Sequence, residues 1–129
     1  MIRKKLLNPN RVRRIDGGFS FVPHRFLADG FLASLGQKEL LLYLFLVLVS
    51  DRYGLSFYSY DSICSLLQYN LGQYIEARDG LMEKDLIAFD GTIFQVLDLP
   101  SKPKEATAEQ QDPAAIAQLI RHSLKEAAI

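Results

Sequence analysis

The chain has one cysteine, Cys64, and no tryptophan in 129 residues. A single thiol excludes an internal disulfide and a cysteine-based metal cluster. The lack of any redox signature fits a reducing cytoplasm. The two histidines, His24 and His122, share no metal-ligand spacing with Cys64, so neither metal nor cofactor is expected. Long apolar runs are also missing. The longest, Leu40 to Val49, is ten residues, about half of the ~20 that a membrane-spanning helix requires, and reads as a buried helix. No apolar segment of signal-peptide length follows the basic start MIRKKLLNPNRVRR. The phosphate-loop, dinucleotide-loop, HExxH and nucleophile-elbow patterns are all absent. The expectation is a cytoplasmic, non-enzymatic protein with no membrane segment.

What is present is a core and an uneven charge. Hydrophobic residues make up 49% of the chain, enough for one well-packed domain at this length. The formal net charge is zero, but it is not evenly spread. Residues 1–25 hold seven Lys/Arg against one acid, Asp16, whereas residues 26–100 hold four against ten. A basic arm is joined to an acidic body.

The arm, residues 1–18, ends at Asp16-Gly17-Gly18, a break in regular structure. FSFVP, residues 19–23, is a short strand or an extended lead-in stopped by Pro23. Residues 24–35 place Phe26, Leu27, Phe31, Leu32 and Leu35 at helical spacing. Gln37 to about Arg52 is a helix apolar nearly all round, so it should be covered on most sides, in part by a second copy. LSFYS, residues 55–59, is a short strand. Ser59 caps the next helix, with Asp61 in its first turn and Ile63, Leu66 and Leu67 facing inward. After the turn YNLG a further helix runs from about Gly72 to Lys84. Asp90-Gly91 then marks a two-residue hairpin. That turn pairs Phe89 with Thr92 and Ile87 with Phe94, and collects Ile87, Phe89, Thr92, Phe94 and Val96 on one face. Residues 100–112 are a polar linker. Residues 113–129 form an amphipathic helix with Ile116, Leu119, Ile120 and Leu124 on one stripe.

The order helix, helix, strand, helix, turn, helix, hairpin resembles a winged helix-turn-helix domain over residues 19–99. SYDSICSLL, LMEKDLI and AFDGTIFQV carry the resemblance, to small bacterial regulators and plasmid replication initiators. Asp85 stands where many such domains have glycine. The fold class expected is mainly α with a small antiparallel β-hairpin. The resemblance implies a homodimer that binds duplex DNA in a transcription, replication or mobile-element setting.

Candidate DNA contacts are Arg3, Lys4, Lys5, Arg11, Arg13, Arg14 and Arg25 for phosphate or minor groove, Asn70 for phosphate and Gln73 for a base edge. Three observations pull the other way. On a helical wheel the outer face of residues 71–86 carries Gln73, Glu76, Asp79, Gly80, Glu83 and Lys84, three acids to one lysine. The hairpin tip has no Lys or Arg, so it reads as a packing element. Arg78 falls among apolar residues and reads as a structural cation with a packed stem. The arm itself has other readings, a solvated terminus or a ligand for the acidic body of a second copy. The alternative function is a protein-docking module acting through the acidic helix face and the apolar stripe of residues 113–129. Cys64 reads as a buried structural thiol. Phe57, Tyr58, Tyr60, Tyr69 and Tyr74 are core and rim, or else a stacking surface for bases. Gly30 and Gly80, each after an aspartate, lie within predicted helices and should permit close packing.

Overall fold

The computed structural model describes residues 2–104. The predicted helix 113–129, with Ile116, Leu119, Ile120 and Leu124, and most of the linker 100–112 lie outside the described residues. The fold is mainly helical with one small antiparallel sheet. Its elements are α1 (Arg25–Ala28), α2 (Phe31–Ser34), α3 (Gln37–Val49), β1 (Leu55–Ser56), α4 (Tyr60–Leu67), α5 (Leu71–Glu83), β2 (Ile87–Phe89) and β3 (Phe94–Val96). The sheet order is β1-β3-β2, with β3 antiparallel to both neighbours. Phe31, Leu42, Leu46, Ile63, Leu81 and Phe94 are fully buried, one or more from nearly every layer, so helices and sheet share one core. Among the described residues no helix is long and apolar enough to cross a membrane.

The local chemistry explains most boundaries. Ser59 Oγ accepts from Ser62 N at the start of α4, the expected cap. The helix predicted over 24–35 is instead two short helices. Gly30 takes φ +91° between them, a conformation that costs a side-chain-bearing residue far more. FSFVP joins no strand and is the extended lead-in; Val22 packs on the core while Phe19 and Phe21 stay exposed. The apolar helix α3 stops at Val49, short of Arg52. Ser50 is extended there, and Asp51 Oδ1 accepts from Tyr53 N and Leu55 N, which turns the chain into β1. In α4, Ile63 is buried, but Leu66 is exposed and Cys64 only half-buried; eight residues give a single inward row.

The hairpin keeps Ile87, Phe89, Phe94 and Val96 on one face, but Thr92 leaves it for an exposed loop, and the register differs from the predicted one. Phe89 pairs with Phe94, Ala88 with Gln95 and Ile87 with Val96. The loop is therefore the four residues 90–93. Asp90 Oδ1 accepts from Thr92 N and Ile93 N at 2.8 and 2.7 Å, which holds the wider loop and keeps the Asp90 carboxyl below the ordinary carboxylate range. Only Gly91 takes positive φ, so the two-positive-φ turn does not form. The shift is two residues, so parity is preserved: Ile87 and Phe94 remain buried and Phe89 stacks on Phe94 at 4.2 Å.

The end of α5 is an αL stop. Asp85 has φ +60°, Leu86 N donates to Leu81 O and Asp85 N to Met82 O, the paired bonds that usually accompany glycine at this position. Just before it, Lys84 Nζ donates to Glu39 Oε1 at 2.7 Å and to Ser34 O at 2.8 Å. Glu39 Oε1 also accepts from Gly36 N at 2.8 Å. This ion pair is largely covered, its side chains 16% and 17% exposed, and it ties the start of α3 to the end of α5. Gly80 makes room for it: a Cβ there would overlap the Glu39 carboxylate. Gly80 thus permits close packing as expected, while Gly30 breaks a helix.

In an ordinary helix interior Gly→Ala gains roughly 1 kcal/mol. Gly80→Ala is expected to lose about 1–2 kcal/mol instead, because the carboxylate it displaces is held by two donors. In a Glu39→Ala background the same substitution becomes neutral or stabilising. Urea unfolding of the four proteins checks the sign change.

Candidate nucleic-acid interface

The arm is exposed along its length. Asn8 caps a single 3-10 turn at Pro9–Arg11, its side chain accepting from Asn10 N at 3.1 Å. This turn divides the arm into two basic segments, Arg3-Lys4-Lys5 and Arg11 to Arg14. Among the described residues only Arg14 of these six cations is paired, with Asp16 at 3.5 Å. Both of those side chains are near fully exposed, so the pair adds little stability. Apolar Ile2, Leu6, Leu7, Val12 and Ile15 are exposed between the cations. The arm therefore offers two short, solvated runs of positive charge on a chain free of the core.

Arg25, grouped with the arm as a phosphate contact, is engaged elsewhere. It pairs with Asp29 at 3.0 Å and donates to Leu99 O at 3.2 Å and Pro100 O at 2.6 Å. Its guanidinium also lies over the Phe31 ring. It clamps the segment leaving the sheet against α1 and α2.

Asn70 and Gln73 also have local work. Asn70 Oδ1 accepts from Gln73 N at 2.8 Å, and Gln73 Oε1 accepts from Asn70 N at 3.0 Å. This reciprocal cap starts α5 at Leu71. It uses the carbonyl oxygen of each amide and leaves their NH2 groups as donors. The spacing Asn-x-x-Gln is itself a capping signature, the signal that would have placed both residues.

The outward side of α5 has two stripes. Glu76, Asp79 and Glu83 are exposed on one, and Leu71, Ile75 and Met82 on the other. The apolar stripe borders a groove of about 490 Å3 with Phe57, Tyr60, Phe89 and Arg78 among its walls. On a helical wheel Leu71, Ile75 and Met82 fall with Tyr74, Ala77 and Leu81 on the arc away from the acids. They are the edge of that arc, and the core reaches only Tyr74, Ala77 and Leu81. Arg78 pairs with Asp79 at 3.0 Å and stacks over the rings of Tyr74 and Phe89. Burial works against its charge, but Asp79 and Tyr74 outweigh it and hold the guanidinium above its ordinary value. This is the structural cation expected. Of the aromatic cluster, Tyr69 and Tyr74 are buried, with their hydroxyls pushed up by burial. Phe57, Tyr58 and Tyr60 form the exposed rim.

Comparison of the chain with protein-family models, with curated proteins and with solved structures finds no match.

The Arg25 clamp has a measurable weight. Arg25→Gln should cost about 1–2 kcal/mol in urea unfolding, since carbonyls at residues 99 and 100 lose a charged donor. Arg25→Lys should recover only part of this loss, because an ammonium cannot reach Asp29 and both carbonyls in one planar fork.

Proposed function

We propose that residues 19–99 are a winged helix-turn-helix domain and that the chain binds duplex DNA without catalysing a reaction, with the basic arm supplying the phosphate or minor-groove contacts. The domain reading is supported by α4 and α5 meeting through the three residues Gln68 to Asn70, with Gln68 at φ +60°, and by the β2–β3 hairpin that follows and pairs with β1, the strand before α4. The observation that carries the binding reading is electrostatic. Six exposed arm cations are joined to a body whose helix α5 presents Glu76, Asp79 and Glu83 on its exposed side. Phosphate is attracted to the first and repelled by the second. The arm supplies affinity, and the donors of Asn70 and Gln73 at the start of α5 are the body's contribution.

A second reading is favoured by the groove beside α5. Its exposed Phe57, Tyr60, Leu71 and Ile75, next to an acidic stripe, fit a protein segment that is apolar and basic. In that reading the chain is a docking module, and DNA has no part.

Duplex binding by the full chain, followed by fluorescence anisotropy over a range of salt, separates the two. DNA binding through the arm predicts a steep log–log salt slope. Replacing all six arm cations by glutamine should lower it by up to about 5, near 0.9 per phosphate contact. No binding at low salt, or binding unaffected by those substitutions, contradicts the arm-led reading.

A further inference from the structure

A cavity opens between the lead-in before α1 and the turn that follows α3. Its volume is about 370 Å3, near the lower end of the ~300–1,000 Å3 typical of small-molecule sites. One wall is fixed to the sheet. Gly54 takes φ +84° and lies so close to β3 that a Cβ would overlap Val96 O, and Val96 N donates to Gly54 O at 2.8 Å. Another wall is the extended lead-in. Its Phe19 and Phe21, two residues apart and so on one side of the chain, border the cavity and are otherwise exposed.

Tyr43 of α3 lines the same cavity. Only 3% of it is exposed, and its ring stacks on Phe26 at 5.1 Å, so the core sets its position. Buried tyrosine hydroxyls as a rule find a partner. That of Tyr69 does, donating to Lys38 O at 2.7 Å. The Tyr43 hydroxyl has no hydrogen-bond partner among the described residues. Burial holds its pKa above the ordinary tyrosine value, so at neutral pH it is uncharged and able to give or accept a bond. The charge around the cavity is mostly negative. Asp98 has neither hydrogen bond nor ion pair among the described residues. Asp51 commits only Oδ1, to two backbone N–H groups. The one cation of the lining, Arg52, lies over the Tyr53 ring at 5.0 Å.

We infer that this cavity is a binding site for a small aromatic amine. Phe19 and Phe21 cover the ring of the ligand, the Tyr43 hydroxyl oxygen accepts from its ammonium group, and Asp98 supplies the opposing charge. The aromatic lining itself attracts a cation. Two carboxylates against one guanidinium disfavour an aromatic acid in the same place. The site is separate from the arm and from the groove beside α5, and its test contains no DNA.

Saturation-transfer NMR of the full chain with phenethylamine, phenethyl alcohol and phenylacetate tests the assignment. The amine should bind with a dissociation constant on the order of 1 mM, in keeping with so small a probe, the alcohol more weakly, and the carboxylate least. Tyr43→Phe should weaken the amine about 10-fold, the weight of one hydrogen bond to a charged group. It should not lower the urea midpoint, because no described residue loses a partner. Asp98→Asn, an exposed change that the fold tolerates, should weaken the amine about 3-fold and leave the alcohol unaffected. No transfer to the amine, carboxylate binding tighter than amine binding, or amine binding that Tyr43→Phe leaves intact overturns the inference. A Tyr43→Phe chain that unfolds at clearly lower urea overturns it too, since the hydroxyl then serves the fold.

Discussion

The covered ion pair between Glu39 and Lys84 sets the frame on which the other features sit. Glu39 starts α3 by accepting from Gly36 N, and Lys84 ends α5 beside the carbonyl of Ser34. One carboxylate and one ammonium therefore fix three chain segments relative to one another. Removing either partner leaves the other charge half-buried, which costs far more than the pair itself contributes. With α5 held by its C-terminal end here and by the Asn70–Gln73 cap at its start, its rotation is set. Tyr74, Ala77 and Leu81 go into the core, and the acids face outward.

That rotation has a functional consequence. The helix in the place where a helix-turn-helix domain would meet a groove carries charge of the wrong sign for phosphate. Screening at physiological salt extends over about 8 Å, so in the proposed DNA-binding reading the cations elsewhere on the chain act beyond that range or on a different stretch of backbone. The arm meets this condition because it is extended, exposed and joined to the body through Gly17-Gly18.

Much of the architecture was legible because it rests on short-range chemistry. Ser59, the apolar run of α3 and the Asp90-Gly91 turn each announce an element within a few residues. The hairpin register was not legible: a two-residue slip keeps the same side chains on the same face, so alternation alone cannot separate the two pairings. Only the bonds from Thr92 and Ile93 to Asp90 decide it. The pairing of β1 with β3 joins residues about forty apart, and no local pattern encodes it. The arm and the acidic face of α5 were readable from charge alone. The role of Arg25 was not, because its acceptors are backbone carbonyls 74 and 75 residues away, and carbonyls leave no mark in a sequence.

The central claim is that nucleic-acid affinity resides in the arm and not on the outer face of α5. Amide chemical-shift mapping of the isotope-labelled full chain, titrated with duplex DNA at low salt, tests it most directly. The account predicts that the large perturbations fall on residues 2–18, with smaller ones at Asn70 and Gln73 and almost none at Glu76, Asp79 and Glu83. Perturbations centred on those three acids while the arm stays unmoved would contradict it, as would a spectrum that DNA does not change.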